Sequence, residues 1–215
     1  ELNSFTKNIN INNNYSLNDL TQRIASLEDM LGRNILESVI AFANTIRAKD
    51  SYTAEHVAKT VRIAVKIAGE LSLDEERIDI IKYAAFLHDL GKVGISEAIL
   101  QKEGPLTILE FEEIKKHPLI GGEILRPLHE VSQIIPPIIY HHERIDGSGY
   151  PYGLERNNIP LEAKIIAIAD SYQALTSERP YRRAFSHKKA LKIIEQEIGS
   201  HFDLAVAKAF MRIIR

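Results

Sequence analysis

Apolar side chains first fall into a regular pattern at Leu17, Leu20, Ile24, Leu27 and Leu31, three and four residues apart by turns. That spacing keeps one stripe along a helix and suits a coiled-coil seam. The pattern resumes beyond Gly32 at Ile35, Val39, Phe42 and Ile46, so a single helix is expected over residues 17–48. Two heptads fit a parallel signalling helix in a homodimer and, equally, a helix lying on its own domain. Helical periodicity returns over 53–71, 75–90, 107–126, 130–142, 161–175, 187–197 and 203–213. No run alternates with the period of two that marks a strand. An all-α bundle is therefore expected, with helices carrying functional side chains inward. Two longer loops, 91–106 and 143–160, each follow a helix end that bears histidine, which is where functional loops sit on a rigid scaffold. Residues 3–14, NSFTKNININNN, have little to bury and read as a linker.

Length changes this picture only by bounding it: 215 residues suffice for one domain with a real core plus an N-terminal extension. The formal net charge is −2, so nothing global draws the chain to a nucleic acid polymer or an anionic membrane, and an anionic ligand must meet local positive charge. There is no cysteine. Disulfides and thiolate ligands are excluded, which leaves His, Asp and Glu for metal binding and fits a reducing, cytoplasmic setting. No window approaches the roughly eighteen consecutive apolar residues of a spanning helix. A start at Glu1 fits a piece of a longer signalling protein, even one anchored in a membrane upstream.

Candidate chemistry concentrates at a few places. In AAFLHDLGK the run Ala84–Leu87 is apolar on all sides, so His88 and Asp89 are carried toward the interior, where an unpaired carboxylate would cost on the order of several kcal/mol. A cation removes that cost. IIAIAD (165–170) is likewise an apolar helix interior that leads to Asp170. Adjacent His141 and His142 open HHERIDGSGYP, and neighbouring helical residues point about 100° apart, so both cannot be filler on one buried stripe. Taken singly, His56 or His117 is more often a surface or satisfied core residue, and His129, His187 and His201 sit in polar surroundings. As a set, imidazoles and carboxylates without thiolate suit first-row divalent ions such as iron, manganese or zinc.

The blocks DSYTAEH (50–56), HDLGKVGI (88–95), KKHPLIGGEIL (115–125), HHERIDGSGYP (141–151) and IPLEAKIIAIADSYQALTSERPYR (159–182) resemble the HD-GYP domain family of the HD phosphohydrolase superfamily. The resemblance implies an HD-domain helical bundle over 35–215, with 1–34 a linker and signalling helix. It implies one metal held by His56, His88, Asp89 and Asp170 and a second by Asp89, His117, His141 and His142, with Asp89 as bridge and iron or manganese as the usual ions. It further implies hydrolysis of cyclic di-GMP to the linear dinucleotide pGpG, and in some members onward to GMP, by a hydroxide shared between the two ions. Some members hold a third ion with a glutamate where this chain has Tyr52; a phenol of ordinary pKa is a poor ligand, so two ions are expected. Gln173 stands where the family commonly has Asp, which removes a possible partner for Lys92.

Lys92 is the expected cation beside the reacting phosphate; a helix C-terminus alone would also favour a lysine there. Gly149 and Tyr150 are expected to form a wall of the substrate cleft, the tyrosine stacking on a base or reaching a phosphate. Arg179 and Arg182 match family positions that contact ligand, and their planar forks suit phosphate or guanine; Arg183 reads as solvated surface. In this family the 146–151 loop is also implicated in docking diguanylate cyclase domains. Rival readings are an HD hydrolase for another nucleotide, such as mixed cyclic GMP–AMP, and a non-catalytic sensor of cyclic dinucleotides.

Overall fold

The computed structural model describes residues 17–47, 51–178 and 183–214. Among these, ten α-helices and three short 3-10 segments account for the regular structure, and two isolated bridges, Asp146 with Glu155 and Ile198 with Phe202, are the extent of β pairing. The all-α expectation holds.

The centre of the bundle is formed by α2 (Ser51–Glu70), α3 (Glu75–Leu87) and α8 (Leu161–Thr176). The sequence makes α8 central because it is apolar almost all round: Ala163, Ile165, Ile166, Ile168 and Ala169 are wholly buried. Alanines at 64, 68, 84 and 85 let α2 and α3 approach it closely while the intervening Ile67, Ile81 and Leu87 fill the gaps. Asp74 caps α3 by accepting from the Arg77 amide, and Arg77 in turn donates Nε and Nη2 to Glu162 at 2.8 and 2.6 Å, tying the start of α3 to the start of α8. The C-terminal pair, α9 (His187–Gln196) and α10 (Leu204–Ile214), closes the far side of α8 with Ala190, Ile194, Val206, Ala207 and Phe210.

The leading helix α1 (Leu17–Arg47) follows the expected span, and its second half meets the body through Leu36, Val39 and Ala43. The heptad side chains Leu17, Leu20, Ile24, Leu27 and Leu31 lie outside the described residues, as do Arg179 and Arg182 and the side chain of Tyr52.

Several boundaries differ from the periodicity in an instructive way. The helix expected over 75–90 stops at Leu87, and residues 90–94 form a 3-10 turn. The span 107–126 divides into α5 (Ile108–Ile114) and α6 (His117–Leu125), and 130–142 begins as a 3-10 segment, His129–Ile134, before α7 (Ile135–Tyr140). The first two of these breaks lie beside candidate ligands, His88 with Asp89 and His117. The loop expected over 91–106 also holds α4 (Glu97–Leu100), a single turn too short for periodicity to register.

Candidate metal centre

Why the ligands meet is visible first in the backbone. Beyond α3, His88 takes the C-cap position and Asp89 leads into the 3-10 turn. That turn is pressed against the head of α6: a Cβ on Gly91 would stand 1.9 Å from the carbonyl oxygen of His117 and 2.5 Å from the amide of Gly121. Only glycine permits this approach. It brings Asp89 Oδ1 to 3.4 Å from His117 Nε2, while Asp89 Oδ2 lies 3.4 Å from His88 Nε2. The two oxygens of one carboxylate thus face two different sides of the cluster.

From α2, His56 places Nε2 2.9 Å from Asp170 Oδ1, and the same oxygen is 3.5 Å from His88 Nε2. From the end of α7, His141 and His142 bring their rings within 4.0 Å of each other, and His117 has ring centroids 5.4 and 5.1 Å from theirs. Three sets of donor atoms fall within ligating reach of one another: His56, His88 and Asp170; His88, Asp89 and His141; His117, His141 and His142. All seven sequence-expected ligands are therefore brought together, on two sides of Asp89.

Three of the imidazoles share one device. His88, His117 and His141 each donate Nδ1–H to the carbonyl three residues earlier, Ala85 at 2.7 Å, Ile114 at 2.8 Å and Ile138 at 2.6 Å. A carbonyl can only accept, so Nδ1 carries the proton and, in the neutral ring, Nε2 is left as a bare lone pair aimed into the cluster. The consequence is a set of acceptors facing acceptors. His117 Nε2 and His141 Nε2 stand 3.4 Å apart, and His88 Nε2 is buried, has no hydrogen-bond partner and faces two carboxylates. Such an arrangement is unfavourable until positive charge occupies the gaps, so the residues fit divalent cations.

Charge regulation points the same way. Burial pushes the His117 and His141 imidazoles down, His141 well below its ordinary value with help from His142, and brings His142 to about 3, so these rings are neutral at pH 7, the form that can hold a metal ion. His88 is buried too, which alone would lower it, but Asp89 and Asp170 more than offset this and raise it. Burial would raise both carboxylates; Lys92, His88 and His117 hold Asp89 well below the usual range, and the His56 imidazole hydrogen-bonded at 2.9 Å, with the His88 ring nearby, does so for Asp170. Lys92 stands at the half-exposed rim with Nζ 2.7 Å from Asp89 Oδ2.

The 143–160 loop forms one wall. Its anchor is Glu143, a buried carboxylate that accepts from the Tyr152 amide at 2.7 Å and the Leu154 amide at 2.9 Å. Sequence reasoning passed over Glu143; an acid directly after two candidate ligands, followed by a glycine-rich turn, was the signal to follow. Gly149, expected at the substrate wall, lies flush on the backbone that carries the histidines: a Cβ there would come within 2.3 Å of the Arg144 amide and 2.6 Å of the His142 carbonyl. Its neighbour Tyr150 stacks on His142, centroids 4.7 Å apart and planes 27° apart, and burial followed by Asp89 and Asp170 raises its phenol. Gln173 is buried and donates to Ser177 Oγ at 2.6 Å, so the amide finds its partner within the end of α8. Arg183 is exposed, as expected.

A family model described as HD domain matches residues 40–206. Among curated proteins, the chain is 38% identical over 197 residues to the cyclic di-GMP phosphodiesterase response regulator RpfG of Xanthomonas campestris pv. campestris, covering 90% of this chain and 52% of that protein. It is 35% identical over 191 residues to 3'3'-cGAMP-specific phosphodiesterase 3 of Vibrio cholerae, covering 86% and 42%. The chain thus spans about half the length of the curated relatives it matches. Among solved structures, Bd1817, an HDG"Y"P protein from Bdellovibrio bacteriovorus, superposes with a TM-score of 0.62 at 17% identity, over 85% of this chain and 63% of that one. That likeness speaks for the fold.

Proposed function

Because the chain belongs to the HD-domain family, we propose that it is a metal-dependent phosphodiesterase that opens the ring of cyclic di-GMP, with two divalent ions, iron or manganese, as its resident cofactors. What carries the proposal is the convergence of acceptor-only atoms: His117 and His141 meeting Nε2 to Nε2 at 3.4 Å, with the unpartnered His88 Nε2 on the other side of Asp89. In this reading His56, His88, Asp89 and Asp170 hold one ion, and Asp89, His117, His141 and His142 hold the other. Bound there, the ions would supply an activated water and neutralise charge on the phosphoryl oxygens.

The chain's own residues account for the rest. Water oxygen bonds to phosphorus as the bond to the ribose O3′ breaks, and the leaving oxygen takes up a proton, giving pGpG with a free 5′-phosphate. Lys92, held at the rim by Asp89, can swing its ammonium to a non-bridging oxygen on which charge accumulates. Tyr150 closes the His142 side against water, and its raised pKa keeps the phenol a hydrogen-bond donor. Glu143 holds that wall in place. Arg179 and Arg182 are proposed to take a phosphate or a guanine edge. A second reading, mixed cyclic GMP–AMP as substrate, is favoured by the relative of that stated specificity.

Metal analysis of anaerobically prepared protein, followed by product analysis, tests this. Two ions per chain and conversion of cyclic di-GMP to pGpG are expected, with Asp89→Ala losing both. Full turnover in Asp89→Ala would sink the scheme, three ions per chain would overturn the reading of Tyr52, and faster turnover of cyclic GMP–AMP would select the second substrate.

A further inference from the structure

The mouth of the cluster carries chemistry that the ligands do not use. α5 leaves three apolar side chains open to solvent: Ile108 is 82% exposed, Leu109 79% and Phe111 44%. Phe111 is distinguished by its neighbours. Its ring stands edge-on to Tyr150, centroids 6.4 Å apart and planes 80° apart, and Tyr150 in turn lies face to face with His142. Lys115, at the C-cap of the same helix, holds its ammonium 5.1 Å from the Phe111 ring centre and 5.9 Å from that of Tyr150. Glu112 Oε1 steadies the ammonium at 2.6 Å. Phe111 belongs to neither buried core cluster, so core packing gives no reason for a large aromatic here.

We propose that Phe111 and Lys115 form a shelf that receives one purine of a cyclic dinucleotide whose phosphodiester lies at the His and Asp cluster, a reading that rests on the function proposed above. A half-exposed aromatic face is what a base stacks on, and stacking is tolerant of which base it is. The cation beside it supplies selectivity. Guanine presents two acceptors, O6 and N7, along one edge, whereas adenine pairs its N7 with an amino donor that an ammonium repels, so Lys115 favours guanine over adenine.

Calorimetric titration of the full metal-loaded chain with cyclic di-GMP, alongside steady-state kinetics, decides the matter. Phe111→Ala is expected to raise Kd and KM roughly five- to a hundredfold, with a smaller change in kcat, and Phe111→Trp to restore them. Lys115→Met is expected to narrow the preference for cyclic di-GMP over cyclic di-AMP. Should Phe111→Ala fail to fold, Phe111→Leu carries the same expectation. A wild-type Kd in the alanine or leucine variant, or a tryptophan variant as weak as either, overturns the shelf while leaving the proposed function intact. Wild-type protein that binds cyclic di-GMP without hydrolysing it overturns the proposed function, and the same comparison of Kd values still judges the shelf. Wild-type protein that neither binds nor hydrolyses it overturns both.

Discussion

Gly91 illustrates how a residue with no chemistry of its own sets the geometry of a site. Its missing side chain lets the turn after Asp89 touch the backbone of α6, and the Asp89–His117 approach depends on that touch. Gly91→Ala is expected to cost about 1–3 kcal/mol through overpacking, read as a thermal midpoint lower by roughly 2–12 °C, and to weaken metal retention. An unchanged midpoint would mean that the turn and α6 are not docked as described. Among the candidate ligands, His88, Asp89 and Asp170 were readable from the sequence because a carboxylate or imidazole that an apolar run carries inward needs a partner there, whereas His56 and His117 were marked only by the family resemblance. Glu143 was not, since its partners are amides brought back by a loop whose path no periodicity reports. Nor was the packing role of Gly149, which depends on how close the returning chain comes.

At the scale of elements, the pattern located helices well and their breaks poorly. Apolar positions continue through Ile114, Leu119 and Leu125, so α5 and α6 read as one helix; the chain turns at Lys115–Lys116, and Pro118 then sits in the first turn of α6, where its missing amide costs nothing. Two prolines restart α7 in the same way. What holds α5 at its start is the box between Thr107 and Glu110, with Lys102 on the Glu110 carboxylate. The hydrogen bond from Lys102 first, and those from Thr107 next, lower Glu110 from 4.5 to about 2. A carboxylate whose folded pKa is depressed contributes in full above its unfolded value, and the contribution is lost as pH falls through the folded one. The difference in thermal midpoint between wild type and Glu110→Gln is therefore expected to be widest above pH 4.5 and to close as pH falls toward 2. A difference independent of pH would show that the charge plays no part.

For the whole molecule, the candidate ligands come from α2, the end of α3, the head of α6, the end of α7 and α8, so bound ions would cross-link most of the bundle. Each site filled at about 100 times its Kd would add about 2.7 kcal/mol, so chelation is expected to lower the thermal midpoint by roughly 5–11 °C per ion removed. No change on chelation would show that the folded chain gains nothing from ions. None of the helices is long and apolar enough to cross a membrane, among the described residues. The all-α class followed from periodicity because every central helix has a buried stripe or is buried entirely, but the order in which helices pack was not legible. The latches on His88, His117 and His141 bear on how such a molecule could be governed. Each ring is fastened to the carbonyl three residues behind it, His88 on α3, His141 on α7 and His117 across the break between α5 and α6, so its orientation follows the backbone that carries that carbonyl. With ions bound as proposed, a small shift of α3, of α7 or of the α5–α6 break would change the spacing of these donor atoms without any of the three rings changing its rotamer.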